Sequence, residues 1–214
     1  KMEEKKITPE EGMQVITQMI EASRQRMSMP NLRISIMWAT LAIVTAAIVL
    51  TVSLVNYTPW INLVWFAIPV IGIPVNIVVA RRSEDRGGVR TAIDNISDGI
   101  WKIVGYIAIG LTIICFIMQL CGYPQAWMAM LFYAFIIVGF GAAMQGVVLK
   151  EVSYIVGGVI SMLSGFVIVA LTLCKVQLLL VWVLPLYIFC FLVMFIVPAA
   201  IIRNKLNSRQ KCKN

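Results

Sequence analysis

The sequence predicts an all-α, polytopic membrane protein: six transmembrane helices paired as three hairpins, with both termini in the cytoplasm. Three observations carry that prediction. Apolar residues make up 60% of the 214 residues and charged residues only 13%. A water-soluble domain covers its surface with roughly a quarter charged residues, so lipid must be the solvent for much of this surface. Six apolar runs are each long enough for a hydrocarbon core of about 30 Å, which takes about 20 helical residues. Finally, 17 of the 18 basic residues fall on one side of the topology that these runs define.

The first element is a cytoplasmic amphipathic helix within residues 1–33. Lys1 precedes Met2, which reads as the native start, and no secretory signal peptide is visible. In "TPEEGMQVITQMIEASRQRM" (8–27), Thr8 is the expected N-cap, Pro9 sits in the first turn and Glu11 follows the cap by three residues, the pattern of a capping box. Acidic residues lead, and Arg24 and Arg26 close the helix, matching its dipole. Met13, Ile16, Met19, Ile20 and Met27 form an apolar stripe, and Pro30 is expected to end the helix. The stripe either docks a cytoplasmic protein partner or a second copy of the chain, for which methionine is adaptable, or it lies on headgroups or under its own bundle.

The transmembrane domain, 34–202, follows as spans 34–56, 61–80, 100–121, 126–149, 153–174 and 178–202. None shows the polar–apolar alternation of a barrel strand. Spans one and two meet at "NYTPW", and the third and fourth at "CGYPQA". Between these pairs lies a cytoplasmic loop, 81–99, with a short amphipathic helix expected from about Val89 to Ser97 after the Gly87-Gly88 hinge. A basic tail, 203–214, ends the chain. Basic residues number six in the N-terminal segment, five from Arg81 to Lys102, one at Lys150 and five in the tail, against only Lys175 opposite. The positive-inside rule therefore places both termini in the cytoplasm. Tyr57, Trp60, Tyr123 and Trp127 suit the outer interface, where amphipathic rings gather. "NYTPW" and "GYPQAW" place Tyr, Pro and Trp in the same order, which is compatible with a repeated hairpin or with a shared interfacial alphabet. "NYT" at 56–58 also reads as a glycosylation sequon, discounted because it abuts the membrane.

Helix breakers supply the candidate site. Pro69, Gly72 and Pro74 in span two are matched by Gly139 and Gly141 in span four and by Pro185 and Pro198 in span six, with Asn76 and Gln145 a similar distance beyond. Broken helices bind solutes in transporters through freed backbone groups, so Pro69, Gly72, Pro74, Asn76, Gly139, Gly141 and Gln145 are the candidate solute site. Breakers are also common in membrane helices that bind nothing. Gly157, Ser161 and Gly165 recur every four residues and form a candidate helix-packing stripe, as do Ala142 and Gly146. Arg203, Lys205, Arg209, Lys211 and Lys213, with no acidic residue among them, are candidate contacts for anionic lipid.

Absences narrow the function. There is no histidine, so a Ser–His nucleophile is ruled out. No ionisable residue lies well inside a span, which speaks against proton relays and ion-coupled pumps. Glu84, Asp85, Asp94 and Asp98 are interleaved with Arg86 and Arg90 and read as a solvated face rather than a metal site. No metal, cofactor or nucleic acid is expected. Cys121 and Cys174 both fall near the outer face, where either a disulfide or two free thiols is possible.

The leader (8–27), with its "EE" and its Gln–Ile–Met–Ile pattern, followed by a basic residue and a span, resembles a group of uncharacterised bacterial multi-span integral membrane proteins. The resemblance covers residues 8–38. It implies a bacterial plasma (inner) membrane and carries no activity. The expected function is a non-enzymatic membrane protein with a regulatory, sensory or scaffolding role through its cytoplasmic helices. The alternative is a small transporter or channel for a neutral or lipophilic solute.

Overall fold

The computed structural model describes residues 9–55, 58–84, 92–176 and 180–211. Among them no strand is present, and six helices are long and apolar enough to cross a membrane: Ile34–Val55, Trp60–Val79, Asn95–Leu120, Pro124–Leu149, Val152–Leu173 and Val181–Lys205, spans one to six. Thr8, the Asn56 sequon position, Tyr57, Asp85, Arg86, the Gly87-Gly88 pair, Arg90, Leu178, Cys212 and Lys213 lie outside the described residues.

Helix α1 runs unbroken from Pro9 to Val55, 47 residues. The break expected at Pro30 does not occur, so the N-terminal segment and span one are one rod. A helical proline removes one hydrogen bond and crowds the carbonyl four residues back. That local loss is set against propagation on both sides, which gains one bond per residue once a helix is nucleated. At a 1.5 Å rise the rod is about 70 Å long, and residues 9–33 account for about 37 Å of it. The second expected cytoplasmic helix is likewise absorbed: α3 runs from Ala92 through Ser97 to Leu120 without interruption.

Spans two and four open alike. A proline-led 3-10 turn, Pro59–Phe66, precedes α2 (Ala67–Glu84), and another, Pro124–Trp127, precedes α4 (Met128–Phe132). Proline suits the first helical position, where its missing N–H would have no partner anyway. Pro69 falls in the first turn of α2, and Pro74 lies in its interior. Span four continues through a π-helical turn, Tyr133–Ile137, into α5 (Val138–Leu149). After α6 (Val152–Leu173), span six follows the same plan: α7 (Leu180–Phe191), a π turn at Leu192–Ile196, and α8 (Val197–Lys211). In span six the cause is local, because Pro198 cannot donate to the carbonyl of Met194 and displaces it.

Spans three, four and five end in one motif. Gly122, Lys150 and Lys175 take positive φ (91°, 55° and 57°). The next residue's N–H then reaches back five positions: Tyr123 to Met118 O (2.9 Å), Glu151 to Gly146 O (2.9 Å) and Val176 to Leu171 O (3.0 Å). This Schellman geometry satisfies end carbonyls that would otherwise be orphaned at the interface.

Span five is wedged between spans four and six at backbone distance. A Cβ added at Gly158 would stand 2.5 Å from Gly139 O and 2.6 Å from Ala143 N, and one at Gly146 would stand 2.7 Å from Ile155 N. On the other side, a Cβ at Gly157 would stand 2.7 Å from Val193 O, in the π turn of span six. Gly165 packs on Phe135 and Ile136. Gly157, Ser161 and Gly165 thus serve contacts within the chain, Gly157 toward span six and the other two toward span four.

Span six is the most enclosed, with 44% of its apolar window buried against 11% for span two. Tyr187, Phe191 and Phe195 recur every fourth residue along it and pack on one another. Tyr187 meets Trp65 of span two and Phe135 of span four edge-on, and Phe195 meets Trp101 of span three. Ala39, Ala42, Ala46 and Val49 of α1 join the same core, and α1 packs on α7 and α2. Cys115, Cys121, Cys174 and Cys190 are free thiols, with Cys121 and Cys174 exposed.

Two substitutions test this geometry by thermal or denaturant unfolding in detergent. Lys150→Gly is expected to stabilise the protein by about 1 kcal/mol, since a left-handed non-glycine residue is strained by roughly that much. Gly158→Leu should lose the cooperative transition, because the atoms it meets are backbone.

Candidate functional site

Polar contacts concentrate on one seam, between spans three and four. Ser97, Trp101, Val104, Ala108, Thr112, Cys115 and Gln119 recur along α3 at steps of three or four residues, so they occupy one face. At the cytoplasmic end that the sequence predicts, Gln145 is only 2% exposed. Its Oε1 accepts from Ser97 Oγ (2.6 Å) and from Trp101 Nε1 (3.3 Å). One turn further along, Tyr133 Oη donates to Val104 O (2.7 Å). Thr112 Oγ1 donates to Ala108 O within its own helix, and Cys115 Sγ donates to Ala126 O (3.2 Å). At the opposite end, Trp127 Nε1 donates to Gln119 Oε1, while Gln119 Nε2 is buried without a partner.

This seam follows from what lipid demands. A polar side chain in hydrocarbon must find a partner or carry a desolvation penalty. Across helices such bonds contribute about 0.6 kcal/mol on average, with a maximum near 1.7. Ser161 does the same for the backbone: its Oγ donates to Phe135 O (3.0 Å), a carbonyl in the π turn of span four.

The seven candidate solute-site residues are distributed over three separate contacts. Pro69 and Asn76 are half-buried on span two, Pro74 is exposed, and Gly72 is buried beneath the Trp38 indole of span one. Gly139 faces Gly158 and Ser161 of span five, whereas Gly141 faces Val104 and Trp101 of span three. Gly141 and Gln145 share a neighbour, Trp101. α2 packs chiefly on α1, and the space between the even-numbered spans is occupied by Phe135, Tyr187, Phe191, Met194 and Phe195. Two hollows open on the outside: a trough of about 340 Å³ between spans one and two, and a second of about 350 Å³ along span one, both walled mainly by apolar side chains.

In the tail, Arg203 is exposed and Lys205 forms an ion pair with Glu151 at 2.7 Å, tying the end of span six to the turn between spans four and five. With Lys205 55% exposed, the pair contributes at most about 1 kcal/mol. Among the described residues no group of three or more His, Cys, Asp or Glu side chains is gathered closely enough to hold a metal ion.

Comparison of the chain with protein-family models, with curated proteins and with solved structures gives no match. The functional reading therefore rests on geometry.

Sequence reasoning missed Ser97, Trp101, Tyr133 and Gln119. Their signal was present as small and polar residues at helical spacing from 97 to 119, but their partners lie in another span. Gln145→Leu is expected to destabilise the bundle by about 1 kcal/mol, since it orphans two donors. Adding Ser97→Ala to it should cost less than Ser97→Ala alone in the native background, which a double-mutant cycle in detergent would read.

Proposed function

We propose that this chain is a non-enzymatic integral membrane protein of a bacterial plasma membrane, with a regulatory, sensory or scaffolding role exerted through its cytoplasmic helices. In this reading the six spans form three hairpins, and both termini and loop 81–99 are cytoplasmic. The tail from Arg203 to Lys213 lies on anionic lipid, and the N-terminal helix meets a cytoplasmic protein or a second copy of the chain.

The observation that carries this reading is the continuity of α1. Its outer 25 residues, 9–33, and span one are a single helix. Ala39, Ala42, Ala46 and Val49 of that helix are buried in the core. A partner that tilts or rotates the projecting half acts directly on the helix packed against span six, with no flexible joint to absorb the motion. Met13, 72% exposed, is available for such a contact.

A second reading, a small transporter or channel for a neutral or lipophilic solute, is favoured by the π turns in spans four and six, since such bulges recur at functional sites. Both turns face residues of span five, and the interior beside them is filled by aromatic rings. It therefore ranks second.

Two measurements test the leading reading. With an impermeant maleimide on spheroplasts, native Cys121 and Cys174 should label from outside, whereas a cysteine placed at Met13 should label only after permeabilisation. Outside labelling at position 13 would reverse the topology. With a photo-reactive residue at Met13, irradiation of cells should give a discrete protein adduct or a chain dimer. Adducts to lipid alone, together with solute flux in proteoliposomes, would favour the transporter.

A further inference from the structure

The trough between spans one and two has two features that no part of the functional reading uses: its apolar walls and the basic positions at its end. Met37, Thr40 and Val44 form one wall, and Ile71, Gly72 and Val75 the other, around about 340 Å³. The Trp38 ring occupies the space that a side chain at Gly72 would take. Val44 also lines the second hollow with Ala47, Ile48, Thr51 and Val52, so beyond the two-walled part an open, largely apolar surface continues outward along α1 alone. From Met37 to Val52 is about 22 Å of helix, more than the depth of one leaflet, about 15 Å of a roughly 30 Å core.

The charged end follows from register. Arg33 precedes Met37 by four residues and Thr40 by seven, while Arg82 follows Val75 by seven and Ile71 by eleven. These are spacings that keep positions on one helix face. Arg33 immediately precedes span one and Arg81 and Arg82 closely follow span two, so both walls run into arginine at the same membrane surface.

We propose that this trough binds one anionic phospholipid, its acyl chain between the walls and its phosphate at the Arg33, Arg81 and Arg82 end. A guanidinium pairs with a phosphate through two parallel hydrogen bonds, which a neutral surface does not reward. A helix from a second copy fits less well. Close helix packing in lipid wants small residues, and these walls are largely branched or long. A symmetric copy would also bring its own arginines against these. A zwitterionic lipid fills the walls but carries a compensating cation at its headgroup.

The test is native mass spectrometry of the full detergent-solubilised chain, titrated with phosphatidylglycerol or phosphatidylcholine. One phosphatidylglycerol should be retained in preference to phosphatidylcholine. Arg33→Gln with Arg82→Gln should weaken its binding about thirtyfold, at roughly fivefold per basic residue near an anionic headgroup. Thr40→Trp, which fills the trough, should also displace it. The tail variant Arg209→Gln, Lys211→Gln, Lys213→Gln should leave this one site unchanged. The arginine pair lies outside the packed spans, so that arm stands even if Thr40→Trp does not fold. Equal retention of both lipids, or retention that follows the tail and not the arginine pair, overturns the proposal. So does a dimer that Thr40→Trp converts to monomer with lipid binding unaltered, which would make a second copy the occupant.

Discussion

Span five touches spans four and six backbone to backbone, and the placing of the other helices depends on that contact. In hydrocarbon the apolar side chains gain nothing by leaving lipid for protein, so helices associate through close packing and hydrogen bonds. Gly158 against Gly139 and Ala143, and Gly157 against Val193, bring main chain so near that a Cβ at either glycine would stand under 3 Å from it. With spans four and six both drawn onto span five, Tyr187, Phe191 and Phe195 of span six are turned toward Trp65, Phe135 and Trp101. These rings close the interior. A side chain at Gly157 or Gly158 would meet main-chain atoms on either neighbour, and main-chain atoms of a helix cannot step aside.

A second constraint governs the irregular elements. Every backbone polar group in the bilayer has to be satisfied within the protein, and each departure from α-helix here has an identifiable partner or position. The proline-led turns of spans two and four stand at helix starts, where an N–H is dispensable. Ser161 takes up a carbonyl of the span-four π turn, and Pro198 accounts for the π turn that precedes it. Lys150 and Lys175 accept a left-handed conformation so that the last carbonyls of spans four and five are bonded. In this arrangement the breakers also turn, bend and stop helices between close neighbours.

In the proposed reading, function concentrates at the periphery. The seam between spans three and four joins polar side chains in pairs, from Ser97 and Gln145 at one end to Gln119 and Trp127 at the other, and holds span three to the bundle. An open apolar trough lies on the outer surface along span one, and the N-terminal half of α1 continues beyond that span. Span one thus borders the interior and the trough, and is continuous with the N-terminal extension. In the proposed reading, that makes it the element through which a partner or a lipid has the shortest route to the core.

The sequence by itself determined the class and the number of spans, because long apolar runs with almost no charge have one stable solution in a bilayer, the helix. The apolar helices can be set beside the spans drawn from the sequence: span one begins at 34 in both, and the largest difference is span three, beginning at 95 where 100 was read. Gly157, Ser161 and Gly165 were legible as a packing stripe because small residues at four-residue spacing have few other uses in lipid. The partners of that stripe were not legible, nor was the division of Gly139 and Gly141 between two different neighbours, since both depend on the rotation of helices far apart in the chain. Pro30 misled because a proline states a local preference, while helix continuity is decided by the segments on both sides. The bond from Ser97 to Gln145 spans 48 residues. Only the tertiary structure brings those two groups together, because in hydrocarbon each polar side chain pairs with whichever group the packing of the helices places within its reach.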